Sequence, residues 1–215
     1  MTHPKPETFF MRPLEGSDVP TIARWFVDLD DLSLFDRSLR APMNLTSSEK
    51  IWSDVLGNND KNSEYWFAIV KNNDQLIGIS GIEGLSFVNR DGIVPLFIER
   101  SERNKGIGIR ALALILDVAF MQLGLNRLTS YYRSDNEASR ALLARAGFRQ
   151  EGCMRQAWFA AGRRLDMIVI GILRDEWMER RKTLANELGK NIVLTFGSES
   201  SGRWSWPPAD VEEEA

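Results

Sequence analysis

Apolar positions recur along the chain with two different periods, and the densest run of them lies between Ile107 and Leu123. It is apolar on nearly every face except at Arg110, Asp117 and Gln122, which predicts a helix buried on more than one side. Upstream, Thr8 to Pro13 reads as a strand carrying Phe9, Phe10 and Met11. Ser17-Asp18-Val19-Pro20 opens a helix whose Val19, Ile22, Ala23, Phe26 and Val27 keep helical spacing to about Leu29. No period holds from Asp30 to Thr46, after which Ser47-Ser48-Glu49 starts a shorter helix to about Gly57. Glu64 to Lys71 and Gln75 to Leu85 form a hairpin around Asn72-Asn73-Asp74. A third strand, about Gly92 to Ile98, completes an antiparallel meander that ends at Arg103-Asn104-Lys105-Gly106-Ile107-Gly108.

Downstream of the apolar helix, Leu125 to Arg133 reads as a strand, and Ser134-Asp135-Asn136-Glu137 caps a helix that stops near Gly147. Phe148 to Ala157 and Arg164 to Leu173 are strands around Ala160-Ala161-Gly162. Arg174 to Leu188 is a charged helix, and Asn191 to Phe196 a candidate for an extra strand. Gly197 to Ala215 is expected to be a floppy tail, although its Trp204-Ser205-Trp206-Pro207-Pro208 could cover an apolar patch or meet another subunit. There is no internal repeat and no hinge between two domains.

Composition narrows the chemistry. With 215 residues, 43% apolar and 27% charged, one well-packed domain is the default, and a formal charge of -3 argues for neither a nucleic-acid nor an anionic-membrane partner. Cys153 is the sole cysteine, so an internal disulfide is excluded; it reads as a small, partly buried residue in a cytoplasmic protein. The sole histidine, His3, sits beside Pro4 near the N-terminus, which argues against Ser-His-Asp, Cys-His and multi-histidine metal sites, and no metal is expected. No stretch of about 18 uncharged apolar residues appears, nor a signal-peptide core, so no membrane partner is expected.

The glycine loop carries the first chemical signal. Glycines let backbone N–H groups approach a ligand, and the start of a helix offers unpaired donors and positive potential, so this turn suits a phosphate or pyrophosphate, with Arg103 and Lys105 adding mobile charge. Alone, R-x-x-G-x-G is equally an ordinary turn. The joint pattern is more specific: Arg103-x-x-Gly106-x-Gly108, then Gly124-Leu125-Asn126, then Asn136-x-x-Ser139, then Gly147-Phe148-x-x-Glu151-Gly152. By it the chain resembles the GCN5-related N-acetyltransferase (GNAT) superfamily, nearest in pattern to its ribosomal-protein alanine and spermidine acetyltransferases, over roughly Thr8 to Trp177. The resemblance implies an α+β GNAT fold in a single domain: a central mixed, mostly antiparallel, twisted sheet flanked by helices and splayed between the fourth and fifth strands. Residues 1–7 would then be an N-terminal arm, 8–177 the acetyltransferase domain, 178–196 a C-terminal helix and extra strand, and 197–215 an acidic tail.

The resemblance also implies a V between the strand ending at Ile98 and the strand ending at Arg133, entered by acetyl-CoA. Phe97 and Ile98 would pair with its pantetheine arm, and the backbone of Arg103, Asn104, Lys105, Gly106, Ile107 and Gly108 would hold its pyrophosphate. Asn136 and Ser139 match positions beside the pantetheine and thiol, Asn136 being equally a helix cap. Acetyl transfer needs a neutral amine, a polarised thioester carbonyl and a proton for the thiolate. A lysine-like amine has a pKa of about 10.4, so a general base is required. Glu83, flanked by Ile82 and Leu85, is preferred over Glu99. A family tyrosine four residues before the Gly-Phe pair is replaced by Leu143. Tyr131 and Tyr132 point to opposite faces of their strand, so one of them, taken here as Tyr132, could protonate the thiolate, Ser139 could assist through water, or the thiolate could leave unassisted.

Phe35, Arg37 and Trp52 fall in the region that walls the substrate pocket in the family, with Asp36 between them, and Asp166 is a candidate ammonium contact or a hydrogen-bonded structural acid. The implied acceptor is a primary amine: a protein N-terminus, a polyamine, an amino sugar or an antibiotic. A homodimer through the C-terminal segment is open. The competing reading is an acyl-CoA-binding sensor or assembly module with weak catalysis, which Leu143 keeps in play. Nucleic-acid binding through Arg103, Lys105 and Arg140 lacks the aromatic and basic face it would need.

Overall fold

The computed structural model describes residues 6–38, 41–57, 64–197 and 204–208. The arm up to residue 5, His3 included, and the acidic stretch from 209 onward lie outside the described residues. In chain order the strands are β1 (Glu7–Pro13), β2 (Tyr65–Lys71), β3 (Leu76–Ser86), β4 (Asp91–Ile93), β5 (Leu96–Ile98), β6 (Arg127–Arg133), β7 (Arg149–Ala160), β8 (Arg163–Leu173), β9 (Ile192–Phe196) and β10 (Ser205–Trp206). The helices are α1 (Val19–Trp25), α2 (Leu29–Phe35), α3 (Leu45–Leu56), α4 (Ile107–Asp117), α5 (Glu137–Ala146) and α6 (Arg174–Leu188). One sheet runs β10-β9-β1-β2-β3-β4-β6-β8-β7, with β5 also on β3. Only β1 with β9 and β4 with β6 pair in parallel, so among the described residues the sheet is mixed and mostly antiparallel.

Alternation along the strands sends side chains to two cores. On one face Trp66, Ala68, Val70 and Phe97 pack under Ile22 of α1, Phe35 of α2 and Trp52 of α3. On the other, Phe67, Ile69, Leu128, Ile170 and Ile172 meet the apolar run of α4 together with Leu143 of α5 and Trp177 of α6. From Ile107 to Leu116 only Gly108 escapes burial, in agreement with a helix enclosed on several sides.

Four expectations need correction. The predicted third strand is two, β4 and β5, broken at Val94-Pro95, because Pro95 has no N–H to continue a ladder. The first helix stops at Trp25, and the aperiodic stretch after it contains α2, capped by the Asp28 side chain, which accepts from the N–H groups of Asp30 and Asp31 at 3.0 Å. The apolar helix passes into a π-helical turn at Val118–Gln122. Trp204 to Pro208 do not dangle: β10 pairs antiparallel with β9, and Trp206 is fully buried.

Candidate active site

The splay begins where the fourth strand breaks. Ile93 of β4 lies opposite Thr129 of β6, and Val94 N–H still donates to Thr129 O at 2.9 Å. One residue on, the chain changes partner: Pro95 O accepts from Ser80 Oγ at 2.7 Å and from Gly81 N–H at 3.3 Å, both on β3. Beyond this apex β5 follows β3 while Ser130 to Arg133 follow β8, which opens a V. Glu99 N–H donates to Ile77 O at 2.8 Å, so residues 95, 97 and 99 turn their backbone groups onto β3, and alternation leaves those of Leu96 and Ile98 facing the gap. Phe97 is therefore corrected as a backbone partner for pantetheine. Its ring sits in the core of the α1–α3 face, 5.4 Å from Trp25 and 4.9 Å from Phe26 between centroids.

The glycine loop follows β5. Gly106 caps α4 with φ of 79°, a conformation that favours glycine, and a Cβ there would lie 2.8 Å from Arg110 Nη1. At Gly108 the reason for glycine is packing: a Cβ would meet Leu142 Cδ1 at 3.2 Å and Ile98 Cγ1 at 3.4 Å, where α4 crosses β5 and α5. Asn104 is exposed and Ile107 buried. The two cations are not mobile arms. Arg103 donates from Nε to Ile98 O at 2.8 Å and from Nη1 to Asp31 at 2.9 Å, with its guanidinium 5.2 Å from the Phe97 ring centroid, so it fastens α2 to the end of β5. Lys105 Nζ pairs with Glu102 at 3.0 Å. What remains for a diphosphate is the set of N–H groups at the start of α4, which lack helical partners.

The two sides of the V carry different chemistry. Glu83 registers with Ile93 at the apex and points to the α1–α3 face, while Tyr132, 6% exposed, belongs to the core of the α4–α6 face. Burial pushes the Glu83 carboxyl up to about 7, helped by the nearby charges of Glu64 and Asp36. Burial likewise raises the Tyr132 phenol, which keeps it protonated at neutral pH; Arg140 works against this shift and Glu137 with it. Tyr131 faces the other way and is exposed. Leu143 is core, so α5 offers no acid at that position. Asn136 caps α5, its Oδ1 accepting from Ser139 N–H at 3.1 Å, and Ser139 is half-buried.

The other predicted substrate contacts scatter. Phe35 and Trp52 line a cavity of about 80 Å³ between α1, α2 and α3 and pack against Trp66. Arg37 reaches Met167 Sδ of β8 at 3.4 Å. Asp166 turns out to hold a bulge: Gln156, at φ of 54°, donates its N–H to Asp166 Oδ1 at 2.8 Å where three residues of β7 crowd opposite one of β8. This favours its structural role over contact with an ammonium. Cys153 Sγ lies 3.6 Å from the same carboxylate; it is exposed rather than partly buried, and its thiol is pushed up, away from thiolate. The pattern missed Glu64 and Asp31, whose roles depend on contacts distant in sequence. It registered Arg110 and Asp117 only as interruptions of an apolar run, which is itself the signal of a buried polar task.

The profile of the acetyltransferase (GNAT) domain matches residues 8–149. The chain belongs to the GNAT acetyltransferases. Among the relatives of this GNAT chain is an uncharacterized N-acetyltransferase, p20, of Bacillus licheniformis, 29% identical over 109 residues, 51% of this chain and 61% of p20. The ribosomal-protein-serine acetyltransferase of Escherichia coli (strain K12) is 29% identical over 126 residues, 57% of this chain and 70% of that one. The match spans 56% to 65% of the length of three Bacillus relatives. The crystal structure of spermidine N-acetyltransferase from Vibrio cholerae, in complex with CoA and spermine, superposes with a TM-score of 0.71 at 20% identity, over 79% of this chain and 98% of that one. The fold of that structure is thus shared over 79% of this chain. Among the described residues no helix is long and apolar enough to cross a membrane.

Proposed function

We propose that this protein is an N-acetyltransferase that moves the acetyl group of acetyl-CoA to a primary amine by direct attack in a ternary complex. One observation carries the reading: level with the apex of the V stands Glu83, a half-buried carboxyl titrating near 7. An alkylammonium with a pKa of about 10.4 must lose a proton before its nitrogen can attack, and a base titrating near the working pH is suited to take it. The neutral nitrogen then bonds to the thioester carbon and the C–S bond breaks; the thiolate leaves with the electron pair, and the proton shed by the acylated nitrogen balances the one the thiolate takes up from Tyr132 or water. The backbone N–H groups of Leu96 and Ile98 lie along the gap for the acyl carbonyl, Ile98 O being taken by Arg103 Nε. Amine and thiol ends meet opposite faces of the sheet, Glu83 on one and the protonated Tyr132, with Ser139 at the start of α5, on the other. The residues fit the co-substrate in kind: a helix start with unpaired N–H groups for its diphosphate, and a free strand edge for its amide-bearing arm.

Two relatives carry names that specify ribosomal-protein and spermidine acetylation, so the acceptor class extends from a small polyamine to a protein N-terminus. The negative charges of Glu64 and Asp36 beside Glu83 favour an acceptor that arrives as a cation. A cytoplasmic setting without metal, nucleic acid or membrane goes with this reading. Glu83→Gln is expected to lower kcat/KM by about 10²- to 10⁴-fold and to leave acetyl-CoA affinity in place. Wild-type activity should rise with pH through about 7 as the base ionises. An unchanged rate in the variant would sink the assignment of Glu83. If wild type binds CoA yet releases no CoA thiol with any amine, the binding-module reading replaces the enzyme.

A further inference from the structure

Arg110 lies in the first turn of α4 and is 3% exposed. Its guanidinium lies between the glycine loop and the turn that joins α6 to β9. From Nη1 it donates to Gly106 O at 3.1 Å, and from Nη2 to Leu188 O at 2.6 Å, Gly189 O at 3.2 Å and Asn191 Oδ1 at 3.3 Å. All four acceptors are uncharged, and among the described residues the buried Nε has no partner. Burial, and the facing charge of Arg145, pull its pKa down, yet a guanidinium stays protonated at neutral pH.

A buried cation without a carboxylate is costly unless something else uses its field. Part of the compensation is local: Leu188 O and Gly189 O stand at the C-terminal end of α6, where carbonyls lack helical partners and the helix dipole is negative. The rest of the field passes through the loop, whose N–H groups sit at the start of α4. Gly106 O is turned inward onto the guanidinium, so it does not compete with those N–H groups for the space in front of them.

We propose that Arg110 is a positioning residue for the diphosphate of the CoA co-substrate: it acts through Gly106 and couples diphosphate binding to the turn between α6 and β9. The proposal rests on the acetyl-CoA reading above. It gives the C-terminal segment, which the family profile does not cover, a direct connection to the cofactor loop.

The test compares calorimetric titrations of acetyl-CoA and of acetyl-pantetheine, which lacks the diphosphate, into wild type, Arg110→Met and Arg110→Lys. Loss of the cation beside the loop should weaken acetyl-CoA binding by about tenfold or more in Arg110→Met, with Arg110→Lys in between, while acetyl-pantetheine binds all three alike. A purely structural role would weaken both ligands together. Hydrogen exchange of wild type supplies an arm that needs no variant: CoA should slow the amides of residues 186–193. Equal acetyl-CoA affinity in a folded Arg110→Met, parallel loss of both ligands, or exchange at 186–193 that ignores CoA would each overturn the proposal. If wild type fails to bind acetyl-CoA at all, the cofactor reading itself falls, and the titration distinguishes that result from the others.

Discussion

Glu83 weakens the fold whenever it is charged. Its folded pKa of about 7 lies above the ordinary carboxylate value of 4.5, so between those limits the folded state binds more protons than the unfolded one. Stability must therefore fall as pH rises from about 4.5 to about 7, and level off above. Discounted for the water that still reaches a half-buried carboxyl, the loss is about 1–2 kcal/mol. Glu83→Gln removes the charge and nearly keeps the shape, so the variant should be more stable than wild type by about that amount at pH 8, with the gap closing toward pH 5. Urea unfolding at the two pH values measures it. A variant less stable than wild type at pH 8 would mean that the fold benefits from the carboxylate. The gain in stability and the expected loss of activity would then come from one cause, a desolvated base.

At the scale of elements, the V depends on a strand that changes partner within two residues, and two hydroxyls secure the change. Ser130 Oγ donates to Val94 O at 3.0 Å from the β6 side, and Ser80 Oγ to Pro95 O from the β3 side. Ser130→Ala should cost about 1–2 kcal/mol, and Ser80→Ala less, because Pro95 O keeps the Gly81 N–H while a buried acceptor left without a donor bears its desolvation. Equal midpoints for the two variants in urea would contradict that ordering. None of this was legible in the chain, where Gly92 to Ile98 reads as one strand. What was legible is what depends on local periodicity: the hairpin β2-β3, the buried helix α4, the capped α5 and the charged α6. The glycine loop was legible as a place and not as a set of roles, since Arg103 is drawn off to Asp31, 72 residues away, and Glu83 takes its chemistry from Glu64 and Asp36. The missing helix α2 has the same origin: Asp30 and Asp31 blur its apolar face, and its docking partners, Phe97 and Arg103, lie far along the chain.

Across the whole molecule the sheet is closed at one side by the C-terminal segment. β9 runs parallel to β1 from Glu7 opposite Ile192, and β10 adds the last edge, so among the described residues the first strand pairs directly with a C-terminal one. A buried carboxylate joins the C-terminal strands to α4 and α6: Asp117, at the end of α4 and 2% exposed, accepts from Trp177 Nε1, Arg181 Nε and Trp206 Nε1, each at 2.9 Å. Burial raises the Asp117 pKa and these donors oppose the rise, so removing one of them costs both a hydrogen bond and part of the compensation for a buried charge. Trp206→Phe keeps most of the ring and loses the N–H, for an expected cost of about 1–3 kcal/mol. Trp206→Ala also empties a fully enclosed site against Trp177, 5.5 Å away between centroids, for about 3–5 kcal/mol. Both variants should unfold in a single urea transition at a lower midpoint, because the brace ties β9, α4 and α6 into one cooperative unit. A chain ending at residue 197 that unfolds at the wild-type midpoint would show the opposite: a C-terminal strand resting on a domain complete without it.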